Sequence, residues 1–105
     1  MTNFVLLYSG GGMPESEAEQ KAVLGEWNAW FGKLGSGLVD GGMPFTMSKS
    51  VDSNGKISDG PVGSAASGYS IIKADSLDAA AKLAQGCPVL KSGAKITVYE
   101  TLAMM

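Results

Sequence analysis

The segment Phe4-Val5-Leu6-Leu7-Tyr8 constrains the fold of this chain more than any other. It is a run of five apolar and aromatic residues, stopped by Ser9 and the glycines at 10, 11 and 12. Length and stop signal together predict a β-strand. Side chains alternate along a strand, so Phe4, Leu6 and Tyr8 point one way and Val5 and Leu7 the other. Both sets are apolar, and a strand of that kind needs cover on both faces of its sheet.

The rest of the chain supplies candidates for one of those covers. Pro14-Glu15-Ser16-Glu17 opens the next element, with Glu15, Glu17 and Glu19 in a first turn where carboxylates favour the positive helix end. Val23, Trp27, Trp30, Phe31 and Leu34 follow at steps of four, three, one and three, which is one face of a helix over about 15–35. Gly25 and Gly32 weaken that helix by roughly 1 kcal/mol each, and Gly35-Ser36-Gly37 ends it. Leu38 to Gly42 leads into residues 44–51, whose alternation predicts a half-buried or edge strand. Asp52-Ser53-Asn54-Gly55 carries hairpin turn chemistry, and Lys56-Ile57-Ser58 reads as a short return strand. Residues 59–67 form a loop of small residues, and Tyr69 to Lys73 is a strand. Asp75 or Ser76 caps a second helix with Leu77, Ala80, Ala81 and Ala84 on its buried face. Gly86 and Pro88 end it, and 95–102 is the last strand, with Ile96, Val98 and Leu102 on one side.

Strand, helix, strand, strand, helix, strand is the split βαβ order of a ferredoxin-like α+β sandwich. Both helices then cover one face of a four-stranded sheet. A second copy of the chain, sheet against sheet, is the simplest cover for the other, so the expected assembly is a homodimer through the sheet face.

Composition narrows the chemistry. A length of 105 residues gives one domain, 1–105, with 45% hydrophobic and 17% charged residues, as a folded globular chain requires. All eight basic residues are lysines. Without arginine or a basic stripe, nucleic-acid binding is not expected. Without histidine there is no catalytic triad, no His–Asp dyad and no ordinary zinc site, so neither a metal nor another cofactor is expected. The single cysteine, Cys87, excludes an intrachain disulfide and fits a reducing compartment. The first apolar run is far too short to span a membrane and lacks a basic lead, so the expected location is cytoplasmic.

The chain also resembles a known family. Phe4-Val5-Leu6-Leu7-Tyr8, Asp59-Gly60-Pro61, the segment from Gly68 to Ala80, and Gly86-Cys87-Pro88 resemble, in that order, the YCII-related or DGPF-domain proteins. The resemblance implies the dimeric α+β barrel fold. It implies little about activity, because members proposed to be enzymes rely on a His–Asp pair and this chain has no histidine. Residues 62–67, Val-Gly-Ser-Ala-Ala-Ser, also lack the aromatic and charged residues that follow Asp-Gly-Pro in the family pattern.

Candidate site residues follow from what remains. The triple glycine lacks the lysine of a phosphate loop, and the acidic helix entrance repels phosphate, so it reads as a turn. Cys87, past a helix C-terminus with no activating base, reads as packed and inert. Trp27 and Trp30 serve a core at helical spacing, yet with Tyr8, Phe45 and Tyr69 they are also the candidate lining of an aromatic pocket. Asp59 is the candidate acid/base, with capping of its own Asp-Gly-Pro turn as the competing role. The resulting expectation is a small-ligand binding or accessory protein without catalysis. The alternative is an isomerase, lyase or cofactor-free oxygenase acting on a small apolar or aromatic molecule through Asp59 and a tyrosine.

Overall fold

The computed structural model describes residues 2–11 and 16–102. Gly12, Pro14 and Glu15, part of the expected turn and helix entrance, lie outside the described residues.

Strand β1 (Thr2–Ser9) forms as its apolar run predicts. Helix α1 (Glu17–Leu34) starts at Ser16, whose hydroxyl accepts from the Glu19 N–H and so satisfies one of the orphan donors of the first turn. It stops at Gly35, followed by a single 3₁₀ turn. Strands β2 (Leu38–Asp40), β3 (Lys49–Val51), β4 (Ile57–Asp59) and β5 (Ala66–Ala74) come next. Ser76, rather than Asp75, caps helix α2 (Leu77–Ala84), accepting from the Ala79 N–H. A 3₁₀ segment at Pro88–Ser92 leads to β6 (Lys95–Glu100).

The main sheet is antiparallel with strand order β2-β5-β1-β6, the ferredoxin-like arrangement. One expectation is corrected here. The second strand of the sheet is Leu38–Asp40, not residues 44–51. Three residues are too few to show a period, so β2 is set by its pairing of Leu38 with Ile72 and Asp40 with Ile71. The alternation in 44–51 ends instead in β3, which pairs only with β4 in a separate two-stranded ribbon. The Asn-Gly turn does form: the Asp52 carboxylate accepts from the Asn54 and Lys56 N–H groups, and Gly55 takes a positive φ of 86°.

Both helices cover one face. Phe4, Leu6, Tyr8 and Ile72 are buried there against Trp30, Ala80, Ala84 and Cys87, with Trp27, Phe31, Leu34, Val89, Ile96 and Val98 packed around them. The face of α2 is narrower than its sequence suggests. Ala80 and Ala84 are buried, whereas Leu77 and Ala81 are exposed, because an eight-residue helix lying close to the sheet presents only one i, i+4 pair. On the opposite face Val5, Leu7, Tyr69 and Ile71 are only half-buried and Tyr99 is 52% exposed. No helix among the described residues is long and apolar enough to cross a membrane.

Leu6 sits wholly buried at the centre of the sheet, paired with Ser70 and Val98. Leu6→Ala is expected to lower unfolding free energy by about 2–5 kcal/mol in chemical denaturation. A loss below about 1 kcal/mol would mean that the core is not closed around β1.

Candidate functional site

The five aromatic residues expected to line one pocket fall on two faces of the sheet. Tyr8, Trp27 and Trp30 lie on the helix side. The Tyr8 and Trp27 rings meet edge to face with centroids 5.8 Å apart, and Trp27 meets Trp30 at the same separation. Trp30 is buried, and its indole N–H donates to the Leu83 carbonyl at 3.2 Å. This group is packed core. Trp30 also lines a groove of about 340 Å³ between α1, the end of α2 and the Pro88–Ser92 turn.

A chain of hydroxyl groups runs through that core. The Cys87 thiol lies 3.7 Å from the Tyr8 oxygen as its donor, Tyr8 donates to Ser70 Oγ at 2.7 Å, and Ser70 donates to the Gly41 carbonyl at 2.8 Å. It links the turn after α2 to β1, β5 and the segment after β2. Every member has a partner, and none carries a charge at neutral pH. Burial pushes the Tyr8 phenol well above the ordinary tyrosine value, partly offset by its hydrogen bond with Ser70. Burial likewise pushes the Cys87 thiol up, which is the opposite of what a nucleophilic cysteine needs.

Phe45 and Tyr69 lie together elsewhere, on the bare face of the sheet. Their rings stack with centroids 5.9 Å apart and planes inclined by 26°. The Phe45 N–H donates to the Ser67 carbonyl, and Pro44 bridges to Gly68, so the backbone pins Phe45 over β5. The Tyr69 hydroxyl donates to Asp40 Oδ2 at 3.2 Å. The other carboxylate oxygen, Oδ1, accepts from the Gly42 N–H at 2.8 Å and fixes the carboxylate orientation. That bond needs Gly42, which has φ of 80° and lies so close to the Tyr69 carbonyl that no side chain fits. The bond to Asp40 pushes the Tyr69 phenol up, so it stays a proton donor.

Asp59 belongs to neither group. It closes β4 in the outlying ribbon, its side chain is 90% exposed, and it pairs with Lys49 Nζ at 2.6 Å. A carboxylate so solvated lacks the burial on which an acid/base role rested. The carboxylate that does meet a tyrosine is Asp40, which sequence reasoning missed. Its signal lay in the strand register, where the bulge between Leu38 and Asp40 brings it beside β5. Among the described residues no cluster of three acidic or cysteine side chains is arranged to hold a metal ion.

The buried hydroxyl chain makes a prediction at alkaline pH. Below the ordinary values, 9.0 for the thiol and 10.0 for the phenol, folded and unfolded chains hold the same protons and these groups leave stability intact. Above about pH 9 the unfolded chain loses protons that the folded chain keeps, so stability falls as pH rises. The denaturation midpoint is expected to drop between about pH 8 and pH 11, and Tyr8→Phe to flatten part of that drop. Equal slopes in both proteins would contradict the burial of an un-ionised Tyr8.

Comparison with known proteins bears on the fold. No family model matches the sequence, and no curated protein matches it. Among solved structures the chain is similar to 5-chloro-2-hydroxyhydroquinone dehydrochlorinase (TftG) from Burkholderia phenoliruptrix AC1100, in complex with 2,5-dihydroxybenzoquinone. The TM-score is 0.54 at 17% identity, over 94% of this chain and 93% of that one. Likeness at that identity extends to the α+β fold.

Proposed function

We propose that this chain is a small-ligand binding protein without catalysis of its own, which works as a homodimer closed over the bare face of its sheet. The observation that carries the reading is the Phe45–Tyr69 stack beside the Asp40 carboxylate. The stack offers flat apolar surface, and Asp40 keeps unused acceptor capacity on an oriented group. A small planar molecule bearing a hydroxyl donor matches both. A carboxylate ligand does not, because it would meet Asp40 with like charge. The core argues against chemistry on the helix side, since Tyr8 and Cys87 are held neutral and the chain has no histidine to activate either.

The pairing of two chains is supported by the apolar residues left on that face, Val5, Leu7, Ile71 and Tyr99. Membership of the YCII-related family is part of the same reading, supported by the ordered resemblance of its segments and by the fold.

One observation favours an enzyme instead. Tyr69 and Asp40 are a proton donor and a carboxylate within 3.2 Å, the minimal pair for acid/base chemistry on a hydroxylated aromatic (isomerase, lyase or cofactor-free oxygenation). In that case Asp40 takes the role that the sequence assigned to Asp59.

The structural neighbour was solved in complex with 2,5-dihydroxybenzoquinone, a vinylogous acid that is anionic at neutral pH and so mismatched to Asp40, which makes a neutral hydroxybenzene such as hydroquinone the first probe. Calorimetric titration is expected to give saturable binding, weakened about tenfold or more by Phe45→Ala and by Asp40→Asn. The compound should be recovered unchanged. Its conversion would favour the enzyme, and the absence of binding by any hydroxylated aromatic would overturn both readings of the site.

A further inference from the structure

The groove beside Trp30 has a chemistry that the rest of the surface lacks. At about 340 Å³ it has the size of a small-molecule site. Its apolar floor includes Leu34, Leu83 and Pro88, and its charged rim is Lys33, Lys82 and Lys91 with Glu26. An adjoining hollow of about 540 Å³ shares Lys33, Leu34 and Leu83 with it and adds Lys73. Four of the chain's eight lysines thus border the two hollows, with a single carboxylate among them. The chain as a whole has the opposite balance, ten acidic residues against eight basic ones.

That one carboxylate is already engaged. Glu26 Oε1 accepts from Lys91 Nζ at 2.9 Å, while Lys33, Lys73 and Lys82 have no ion-pair partner among the described residues. The backbone is engaged as well. The Leu83 carbonyl, which could repel an anion, accepts from the Trp30 indole N–H and from the Gly86 N–H, each at 3.2 Å. Lys33 and Lys82 stand in the last turns of α1 and α2, where a cation offsets the negative helix end. That role asks for one lysine per helix and does not ask that both border one groove. Like charges gathered around an apolar floor repel one another, and an anion set among them offsets the repulsion. We infer that the groove binds a small carboxylate with an apolar body, which lies on Leu34, Leu83 and Pro88 while its carboxylate sits between Lys33 and Lys82. The volume suits a small molecule rather than a macromolecule. This site is separate from the one at Asp40, which repels carboxylates, so each takes a ligand that the other refuses.

Titration of the isotope-labelled protein with naphthoate, followed by two-dimensional NMR, tests the groove. The Trp30 indole N–H and the amides of Leu83, Gly86 and Lys91 are expected to shift and saturate, while those of Asp40, Gly42 and Tyr69 stay in place. Lys33→Gln combined with Lys82→Gln changes two exposed side chains and is expected to raise the dissociation constant about fivefold or more. Naphthamide, the same body without the charge, is expected to bind the unmodified protein more weakly by a similar factor. Added salt should weaken naphthoate and leave naphthamide unchanged. Groove signals that do not move, shifts that gather at Tyr69 instead, or an affinity indifferent to both lysines would each overturn the inference. Equal affinity for the amide would do the same, and that comparison needs no substitution should the double variant misfold. Binding of hydroquinone beside Phe45 and Asp40 is read separately, so the failure of either site leaves the other standing.

Discussion

Strand β1 is the constraint on which the rest of the molecule depends. It lies inside the sheet with β5 on one edge and β6 on the other, so its backbone groups are paired on both sides. One set of its side chains, Phe4, Leu6 and Tyr8, is buried under two helices and organises the core. The other set, Val5 and Leu7, is only half covered. A strand apolar on both faces in a sheet with helices on one is a structural imbalance, and the proposed assembly is the response to it.

Polarity inside the core has a different purpose from polarity on the bare face. The Tyr8–Ser70–Gly41 chain costs little because each donor finds an acceptor, and it fixes which strands lie side by side. Chemically it is closed: burial holds its acidic groups protonated and no base is near. At Asp40 and Tyr69 the balance is reversed. The carboxylate is exposed, it is oriented by the Gly42 N–H, and its tyrosine partner has an aromatic neighbour. The molecule therefore keeps its exposed polarity at the edge of the sheet and its buried, satisfied polarity in the middle.

Elements with a strong local signal were legible in the sequence. The apolar run of β1, the four-three stepping of α1, the start of α2 at Asp75 or Ser76 and the Asn-Gly turn each carry their own cause, and each formed. What was not legible depends on pairing over long distances. Leu38–Asp40 is three residues with no period, and only its register with Ile71 and Ile72 makes it a strand. Residues 44–51 alternate as a sheet strand does, but alternation does not say which sheet a strand joins. The aromatic residues were recognised as a group, yet the face to which each belongs follows from strand parity across three elements. That separation left Tyr8, Trp27 and Trp30 in the core and put Phe45 and Tyr69 with Asp40.

The proposed assembly depends on whether the second face of β1 is covered by another copy. Sedimentation equilibrium of the unmodified protein at micromolar concentration measures this directly. A mass near twice the 10.8 kDa of the chain is the predicted result. A mass of 10.8 kDa at all concentrations, with Val5 and Leu7 half-buried and Tyr99 exposed as in the single chain, would contradict it.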